Sequence, residues 1–285
     1  MKKKIRSFIL RWKILRTKSK IINVWRNKTK NIGDLTCAPC NYFSELNKDA
    51  LNVDIMSFNK FIPLKNKVII IGGGGLFQAY FTKAMENILK LSKNNTLVIW
   101  GAGLDNYIGN KSDFPDMPDN VKIAVRDYKQ DKYPYVPCAS CLSEVFDKYI
   151  NNDIKHKYKL YLHDDYSQPI LNDLKDIPCL SNHTANNFEH VIKFLSDAEY
   201  ILSNSFHGIY WSILLNKKTI VLPWIDKQGN IGFSEKFNTI KYQTTYCKDW
   251  KNFKTYEKEA KAYSQALYEC RKLNKDFFYN IKEFL

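Results

Sequence analysis

The sequence predicts an α/β fold made of two Rossmann-like domains, each built on a parallel sheet. Three observations indicate it. Short, near-continuous apolar segments alternate with amphipathic segments of helical period, which is the pattern of βαβ units. Glycines or turn-forming polar residues follow the apolar segments at once. A chain of 285 residues, 45% of them hydrophobic, is long enough for two domains of ordinary size.

The first predicted domain spans residues 21–142. Helices are expected from about residue 42 and over 76–91, the second directly after four consecutive glycines. Residues 136–143 show no clear period and are the predicted linker to the next domain. The strands are expected at 21–25, 67–71, 96–100 and 122–125.

The second predicted domain spans residues 143–253, and a closing segment at 254–285 carries a long amphipathic helix over 256–278. The two domains are expected to enclose a cleft between them. Strands are predicted at 158–162, 179–180, 199–203 and 219–222, and helices at 168–174, 186–195 and from the Asn204-Ser205 cap to Leu215.

Positive charge is concentrated at the amino end. The first 30 residues hold twelve Lys and Arg and no acidic residue, whereas the net charge of the whole chain is +15. Residues 1–20 are predicted to form a basic amphipathic helix on an anionic membrane surface. Packing of this helix on its own domain and binding to nucleic acid are the alternatives, and no nucleic-acid module is recognisable in the rest of the chain. Its apolar face consists of Ile5, Phe8, Ile9, Trp12 and Leu15.

No segment has the length of a transmembrane helix, and the amino end lacks the apolar core and cleavage site of a signal peptide. The predicted location is therefore the cytoplasm, peripherally on the inner face of the cell membrane. Seven cysteines without a secretory signal indicate free thiols in a reducing compartment.

Two Cys-x-x-Cys pairs, Cys37/Cys40 and Cys138/Cys141, are separated by far more residues than zinc ligands usually are. Three interpretations of these pairs are open: a metal site, a redox pair, or ordinary buried thiols. The spacing does not select a metal site, so no metal site is predicted. His163, His183 and His190 are interpreted as structural or surface residues, because no spacing links them into a metal site.

Four short polar or glycine-rich motifs punctuate the predicted strands and helices. Asn31-Ile32-Gly33-Asp34 forms a turn near the start, and Gly72–Gly75 follows a buried strand. Arg126 also follows a strand, and His207 lies in Ser205-Phe206-His207-Gly208 at a strand-to-helix junction. Ligands of open α/β sheets bind at the carboxyl ends of strands, where helix N–H groups favour anions.

In this order the four motifs resemble the polysaccharide pyruvyl transferase family over roughly residues 21–237. The resemblance implies a two-domain fold like that of GT-B glycosyltransferases. It also implies transfer of a pyruvyl group from phosphoenolpyruvate to two hydroxyls of a sugar as a cyclic ketal. Such reactions modify capsule, exopolysaccharide or lipopolysaccharide units in bacteria. The expected partner is a sugar or polyprenyl-linked glycan acceptor, with no cofactor besides the donor.

This chemistry assigns roles to the motif residues. His207 is the candidate catalytic acid or base, because its ordinary pKa lies near working pH. Asp34 is a candidate catalytic base and, with Asn31, an acceptor-binding residue. A structural His207, an N-capping Asp34 and an Arg126–Asp127 ion pair are the alternatives. The candidate donor-binding residues are Gly72, Gly73, Gly74, Gly75, Arg126, Ser205, Gly208 and Lys218.

One position departs from the family pattern. Many members carry arginine two residues before the histidine, where this chain has Ser205. Either Arg126 or Lys218 replaces that cation, or the donor is a nucleotide sugar and the protein is a GT-B-like glycosyltransferase. A third hypothesis is a non-catalytic glycan-binding or scaffold protein.

Overall fold

Two five-stranded sheets, both entirely parallel, form the framework of the computed structural model, which describes residues 11–104, 113–163, 168–225 and 229–285. The first sheet has the strand order β2-β1-β3-β4-β5. Its strands are β1 (Ile21–Trp25), β2 (Leu51–Asp54), β3 (Val68–Phe77), β4 (Thr96–Leu104) and β5 (Val121–Val125).

The second sheet has the order β12-β9-β8-β6-β7. A short antiparallel pair, β10 (Trp224–Ile225) with β11 (Ile231–Gly232), lies beside it in the chain. The strands of the sheet are β6 (His156–Leu162), β7 (Cys179–Ser181), β8 (Ala198–Ser203), β9 (Lys218–Val221) and β12 (Thr245–Tyr246). The prediction of an α/β fold with two parallel sheets is thus confirmed.

Helices connect the strands, as parallel pairing requires. Residues 11–15 are helical (α1). The remaining described α-helices are α2 (Ile32–Thr36), α3 (Ser44–Asn47), α4 (Thr82–Leu89), α5 (Val145–Tyr149), α6 (Gln168–Asp173), α7 (Phe188–Ser196), α8 (Phe206–Leu214) and α9 (Ala266–Ile281). None of the helices in the described ranges is both long and apolar enough to cross a bilayer.

Apolar side chains are buried in three clusters. One lies on a face of the first sheet and one on a face of the second. The third contains Trp100 of β4, Trp211 of α8 and Phe278 of α9, so it joins the two halves of the chain. Strand β3 is almost wholly buried, which explains its continuous apolar sequence.

The four glycines do not form a turn before a helix, as the sequence predicted. They lie inside β3, and α4 begins only at Thr82 after a 3-10 turn. A Cβ on Gly72 would lie 2.6 Å from Pro39, and one on Gly73 only 2.3 Å from the Cys37 carbonyl. Glycine therefore lets the strand continue against the Cys37–Pro39 backbone.

Residues 136–143 are not an exposed linker. Val136, Cys138, Ser140 and Cys141 are all buried, and three of them belong to or adjoin the shared apolar cluster. Their lack of helical or strand period reflects packing between the halves rather than flexibility. The domain boundaries drawn from the sequence remain a prediction.

The closing helix is shorter than predicted, since α9 begins at Ala266. Phe253 and Ala260 pack in the cluster of the second sheet, whereas Ala266 packs in the shared cluster. The chain passes from one core to the other between these residues, so a straight helix from residue 256 does not fit both. The sequence prediction also missed β2, β10, β11 and β12.

Candidate active site

Both sheets are doubly wound, and each has one point where the strand order reverses. In the first sheet this point lies between β1 and β3, and in the second between β6 and β8. Ligand sites of open α/β sheets lie outside the carboxyl ends of strands at such points. The two reversal points contribute residues to one pocket with a volume of about 320 Å³.

The pocket is lined almost entirely by residues that follow the carboxyl end of a strand. The first half of the chain supplies Arg26, Thr29, Asn31, Asp34, Gly75 and Arg126, with Gln78, Tyr80 and Phe81 beside them. The second half supplies His163, Asn182, His183, Ser205, Phe206, His207 and Lys236. Of the motif residues predicted from sequence, the pocket therefore brings together Asn31, Asp34, Gly75, Arg126, Ser205 and His207.

His207 lies in the first turn of α8. The turn is fixed by its N-cap residue, Ser205, whose Oγ accepts a hydrogen bond from the Gly208 N–H at 3.4 Å. The side chain of His207 is buried. Burial, and then the positive charges of Arg126 and Lys236, hold the pKa of His207 well below 6.5, so the imidazole is neutral.

Helix α2 approaches His207 from the other half of the chain. A Cβ on Gly33 would lie only 2.1 Å from His207 Nδ1, so any larger residue here requires α2 or the histidine to move. A backbone hydrogen bond of 3.3 Å from Ile32 N–H to the Asn182 carbonyl joins the same two regions. The Asn182 amide in turn donates to Ser205 Oγ at 3.2 Å. Residues from both sheets thus fix the position of the histidine.

Arg126 is a buried cation of the pocket, with 4% of its surface exposed. Its guanidinium carbon lies 4.0 Å from the centroid of the Phe206 ring, a cation–π contact. Within the described residues Arg126 forms no ion pair, and its buried Nε has no hydrogen-bond partner. An arginine in this state favours a bound anion, because an uncompensated buried charge is costly.

Lys236 is a second buried cation at the pocket, which the sequence analysis did not identify. Its Nζ lies 3.9 Å from the centroid of the Trp224 ring. The lysine sits in a short 3-10 turn, Glu235–Thr239, whose sequence carries no signal for a ligand site. Arg26, also at the pocket, is paired with Asp54 Oδ2 at 2.6 Å.

His163 and His183, interpreted from sequence as structural or surface residues, both line the pocket. Their ring centroids are 5.8 Å apart. A signal for them was present, because each lies just past the carboxyl end of a strand, β6 and β7 respectively. The rule that singled out His207 applies equally to these two residues.

Asn31 and Asp34 lie on α2 at the pocket. Asn31 is the N-cap, and its Oδ1 accepts a hydrogen bond of 2.9 Å from Gly33 N–H. Asp34 lies in the first turn rather than at the cap, so the alternative of an N-capping Asp34 is wrong. The pKa of the Cys37 thiol is raised mainly by burial, then by Cys138, and then by the carboxylate of Asp34.

Several predicted donor-binding residues lie elsewhere. Gly72 and Gly73 pack against the Cys37–Pro39 backbone, and a Cβ on Gly208 would lie 2.3 Å from Ser203 Oγ, so these glycines serve close packing. Gly74, at φ +85°, and the two glycines before it are not pocket-lining residues. Lys218 is the first residue of β9 and so lies at the amino ends of the strands. Its Nζ donates to Glu199 Oε1 at 3.0 Å and to the Tyr200 hydroxyl.

The cysteines are free thiols, and Cys37, Cys40, Cys138 and Cys141 are buried. Burial raises the pKa of all four thiols. In the ranges that the structure covers, no group of three or more His, Cys, Asp or Glu side chains is placed to hold a metal ion.

The fold and pocket together define an α/β protein with two doubly wound sheets and a cation-rich site at their carboxyl ends. The chain belongs to the polysaccharide pyruvyl transferase family, whose sequence model it matches over residues 3–226. It is therefore a transferase enzyme of polysaccharide biosynthesis, as the resemblance implied. No curated protein matches the chain.

Among solved structures, the chain is similar to a functionally uncharacterized protein from Klebsiella pneumoniae subsp. pneumoniae NTUH-K2044. The sequence identity is 15%, the TM-score is 0.46, and the match covers 87% of this chain and 98% of the other.

Proposed function

We propose that the enzyme transfers a pyruvyl group from phosphoenolpyruvate to two hydroxyls of a glycan sugar, forming a cyclic ketal. Family membership supports the reaction class. The observation that carries the proposal is Arg126, a buried arginine at the pocket without an ion pair among the described residues. A donor with a carboxylate and a phosphate supplies the anion that such a residue needs.

Arg126 compensates for the serine at position 205. Its guanidinium packs on Phe206, the residue between Ser205 and His207, so its charge lies beside the place where relatives carry their arginine. Planar guanidinium groups bind carboxylate and phosphate through paired hydrogen bonds. Lys236 supplies the second positive charge. Lys218, at the opposite edge of the sheet, has no part in this proposal.

The proposed reaction begins with a proton added to the methylene carbon of the donor. A sugar hydroxyl then attacks the neighbouring carbon and loses its proton, and phosphate leaves with the electrons of its C–O bond. The second hydroxyl bonds to the same carbon and gives up its proton, which completes the ketal. His207 supplies the first proton, Asp34 receives the proton of the first hydroxyl, and His207, now deprotonated, takes up the proton of the second hydroxyl.

The neutral state of His207 in the free enzyme fits this order of events. Burial, and then the charges of Arg126 and Lys236, opposes its protonation in the empty pocket. Binding of a donor with about three negative charges offsets the two positive charges and so raises the pKa of the histidine. Donor binding thus favours the acidic form of His207. This coupling limits proton transfer in the empty pocket.

We also propose that the enzyme works on a polyprenyl-linked or other glycan acceptor at an anionic membrane surface. Ile14 is fully buried in the cluster of the first sheet, while Trp12 and Leu15 are 49% and 42% exposed. Helix α1 thus packs on its domain through one side and presents two apolar side chains outward. Arg11, Lys13 and Arg16 flank them. Ile5, Phe8 and Ile9 lie outside the described residues.

A thermal-shift experiment tests the donor. We expect phosphoenolpyruvate at a hundred times its dissociation constant to stabilise the enzyme by about 2.7 kcal/mol. UDP-, GDP- and CMP-sugars are expected to have no effect. Arg126→Gln removes the charge but keeps most of the volume, so it should abolish the shift. Lys218→Gln, a cation outside the pocket, is the matched control and should retain it.

Other outcomes identify the alternatives. Stabilisation by one nucleotide sugar and not by phosphoenolpyruvate would replace the proposal with a GT-B-like glycosyltransferase. No stabilisation by any donor, together with unchanged glycan production in a His207→Gln strain, would favour the non-catalytic glycan-binding or scaffold protein.

A further inference from the structure

A row of hydrogen-bonded side chains ends at the Nε2 atom of His207. Trp211 Nε1 is 2.9 Å from Ser140 Oγ, and Ser140 Oγ is 3.2 Å from Cys138 Sγ. Cys138 Sγ is in turn 3.6 Å from His207 Nε2. Ser140, Cys138 and Trp211 are at most 1% exposed. These three side chains are therefore shielded from solvent.

The chemistry of the side chains gives the row a direction. An indole N–H only donates, so Ser140 Oγ accepts from Trp211. The single hydroxyl hydrogen of Ser140 is then free to point at Cys138 Sγ. Burial raises the pKa of Cys138, so its sulfur keeps a hydrogen. A sulfur that accepts from Ser140 can donate its S–H to His207 Nε2, which lies 3.6 Å away.

We propose that Cys138 is a positioning residue that holds neutral His207 in the tautomer with hydrogen on Nδ1. A nitrogen that accepts from a thiol carries no hydrogen, so the hydrogen of the neutral imidazole is on the other nitrogen. Nδ1 is the atom that lies against Gly33 of α2, next to Asn31 and Asp34 of the pocket. The tautomer thus directs the N–H of the histidine toward the acceptor side of the pocket.

Two neighbouring contacts keep the ring in this orientation. The His207 ring centroid lies 5.0 Å from that of Trp211. Trp211 therefore packs beside the His207 ring and also donates to Ser140. Tyr210, also on α8, donates a hydrogen bond from its hydroxyl to the Cys138 carbonyl at 2.9 Å. The Cys138–Ser140 backbone is therefore held to α8 at two points. Residues 136–143, which were predicted to be a linker, thus help to fix the position of His207.

Nitrogen-15 NMR of the histidine side chains in the full-length protein without substrate tests the tautomer directly. The His207 signals are assigned by their loss in His207→Gln. We expect wild-type His207 near pH 7 to show a protonated Nδ1 and an unprotonated Nε2. Cys138→Ser retains a donor and should preserve this pattern, whereas Cys138→Ala should shift the signals toward the other tautomer. Cys247→Ala, a buried cysteine in the second sheet's cluster, is the matched control.

The proposal is overturned if wild-type His207 carries its hydrogen on Nε2, or if Cys138→Ala leaves the signals unchanged. The wild-type and Cys138→Ser spectra decide the matter even where Cys138→Ala does not fold. The catalytic consequence rests on the proposed function, whereas the tautomer does not. With phosphoenolpyruvate as donor, we expect Cys138→Ala to lower kcat about 10- to 100-fold with little change in KM, a fraction of what general acid catalysis contributes.

Discussion

The ionisation of single side chains governs what the pocket can do. Arg126 and Lys236 favour an anion, and burial together with the same two charges keeps the pKa of His207 low, so that the imidazole is neutral. A histidine in an unfolded chain has no such neighbours and takes up a proton at its ordinary pKa of 6.5. The folded and unfolded chains therefore bind different numbers of protons below that pH. The difference makes the folding free energy depend on pH.

The sign follows from the lowered pKa. Above pH 6.5 both states hold His207 neutral, and its contribution to stability is fully present. Below pH 6.5 the unfolded chain binds a proton that the folded chain does not, so stability falls as the pH falls. The slope from this residue approaches about 1.4 kcal/mol per pH unit.

Urea unfolding between about pH 5 and pH 6.5 measures this slope. We expect His207→Gln to unfold with a smaller loss of stability over that interval than the wild type, because the group that titrates is gone. His156→Gln, a partly exposed histidine of β6, is the control and should keep the wild-type slope. Equal slopes for wild type and His207→Gln would show that His207 is not held neutral.

The sequence identified several residues of the pocket that follow strands, although not His163 and His183, and it missed Lys236, which depends on a distant loop. His207, Arg126 and Asp34 were found because a strand end and a following turn are readable from local pattern. Lys236 reaches the pocket only through the path of the chain after β11, which no local pattern encodes. The environment of His207, a thiol and a glycine from other segments, was likewise unreadable.

At the scale of elements, α9 connects the halves of the chain. Asn274 is fully buried within it and forms four hydrogen bonds across the shared core. Its Oδ1 accepts from Trp100 Nε1 at 2.8 Å, and its Nδ2 donates to the carbonyls of Pro137 and Cys270 and to Cys141 Sγ. One amide therefore satisfies groups of the first sheet, of the Val136–Ser143 segment and of its own helix.

Removing that amide should weaken the whole fold. Asn274→Ala leaves the buried indole N–H and the Pro137 carbonyl without partners, and we expect a loss of about 2–4 kcal/mol in the free energy of unfolding. Asn280→Ala, on the exposed side of the same helix, controls for helix propensity and should change stability little. Chemical denaturation of both variants measures the difference. Similar values for the two would mean that the bonds of Asn274 contribute nothing net.

The strands were easier to predict from the sequence than the segments that pack against the sheets. The strands with a continuous apolar run were all recognised, whereas β2, with an exposed Asn52 in four residues, was not. Residues 136–143 were interpreted as a linker because aperiodic sequence is typical of loops, and their burial was not predicted. Here they are buried between two sheets, and that placement depends on long-range contacts.

In the molecule as a whole, the exposed side of α1 and its basic residues Arg11, Lys13 and Arg16 belong to one face of the first sheet's half. Arg11 donates to the carbonyl of Phe61 at 2.8 Å, and Phe61 is itself exposed. The apolar side chains Trp12, Leu15 and Phe61 thus share a region with several basic residues. Such a surface suits a bilayer with anionic headgroups.

Vesicle flotation tests this face. The wild type should float with vesicles rich in phosphatidylglycerol and not with phosphatidylcholine vesicles. We expect the double change Trp12→Ser with Leu15→Ser to reduce flotation severalfold. Tyr268→Ser with Tyr279→Ser, two equally exposed aromatics on α9, is the matched control and should bind like the wild type. Equal flotation of all three proteins would contradict membrane binding through α1.

The bond between Trp100 and Asn274 joins residues 174 positions apart. A ribosome adding about 5–20 residues per second completes the first sheet roughly 10–30 s before α9 has been made. During that interval Trp100, fully buried in the finished protein, has no α9 to cover it. The newly synthesised first half therefore exposes an aromatic surface, which can bind a chaperone or lead to aggregation. The two halves can therefore pack together through α9 only after residues 266–281 have been synthesised.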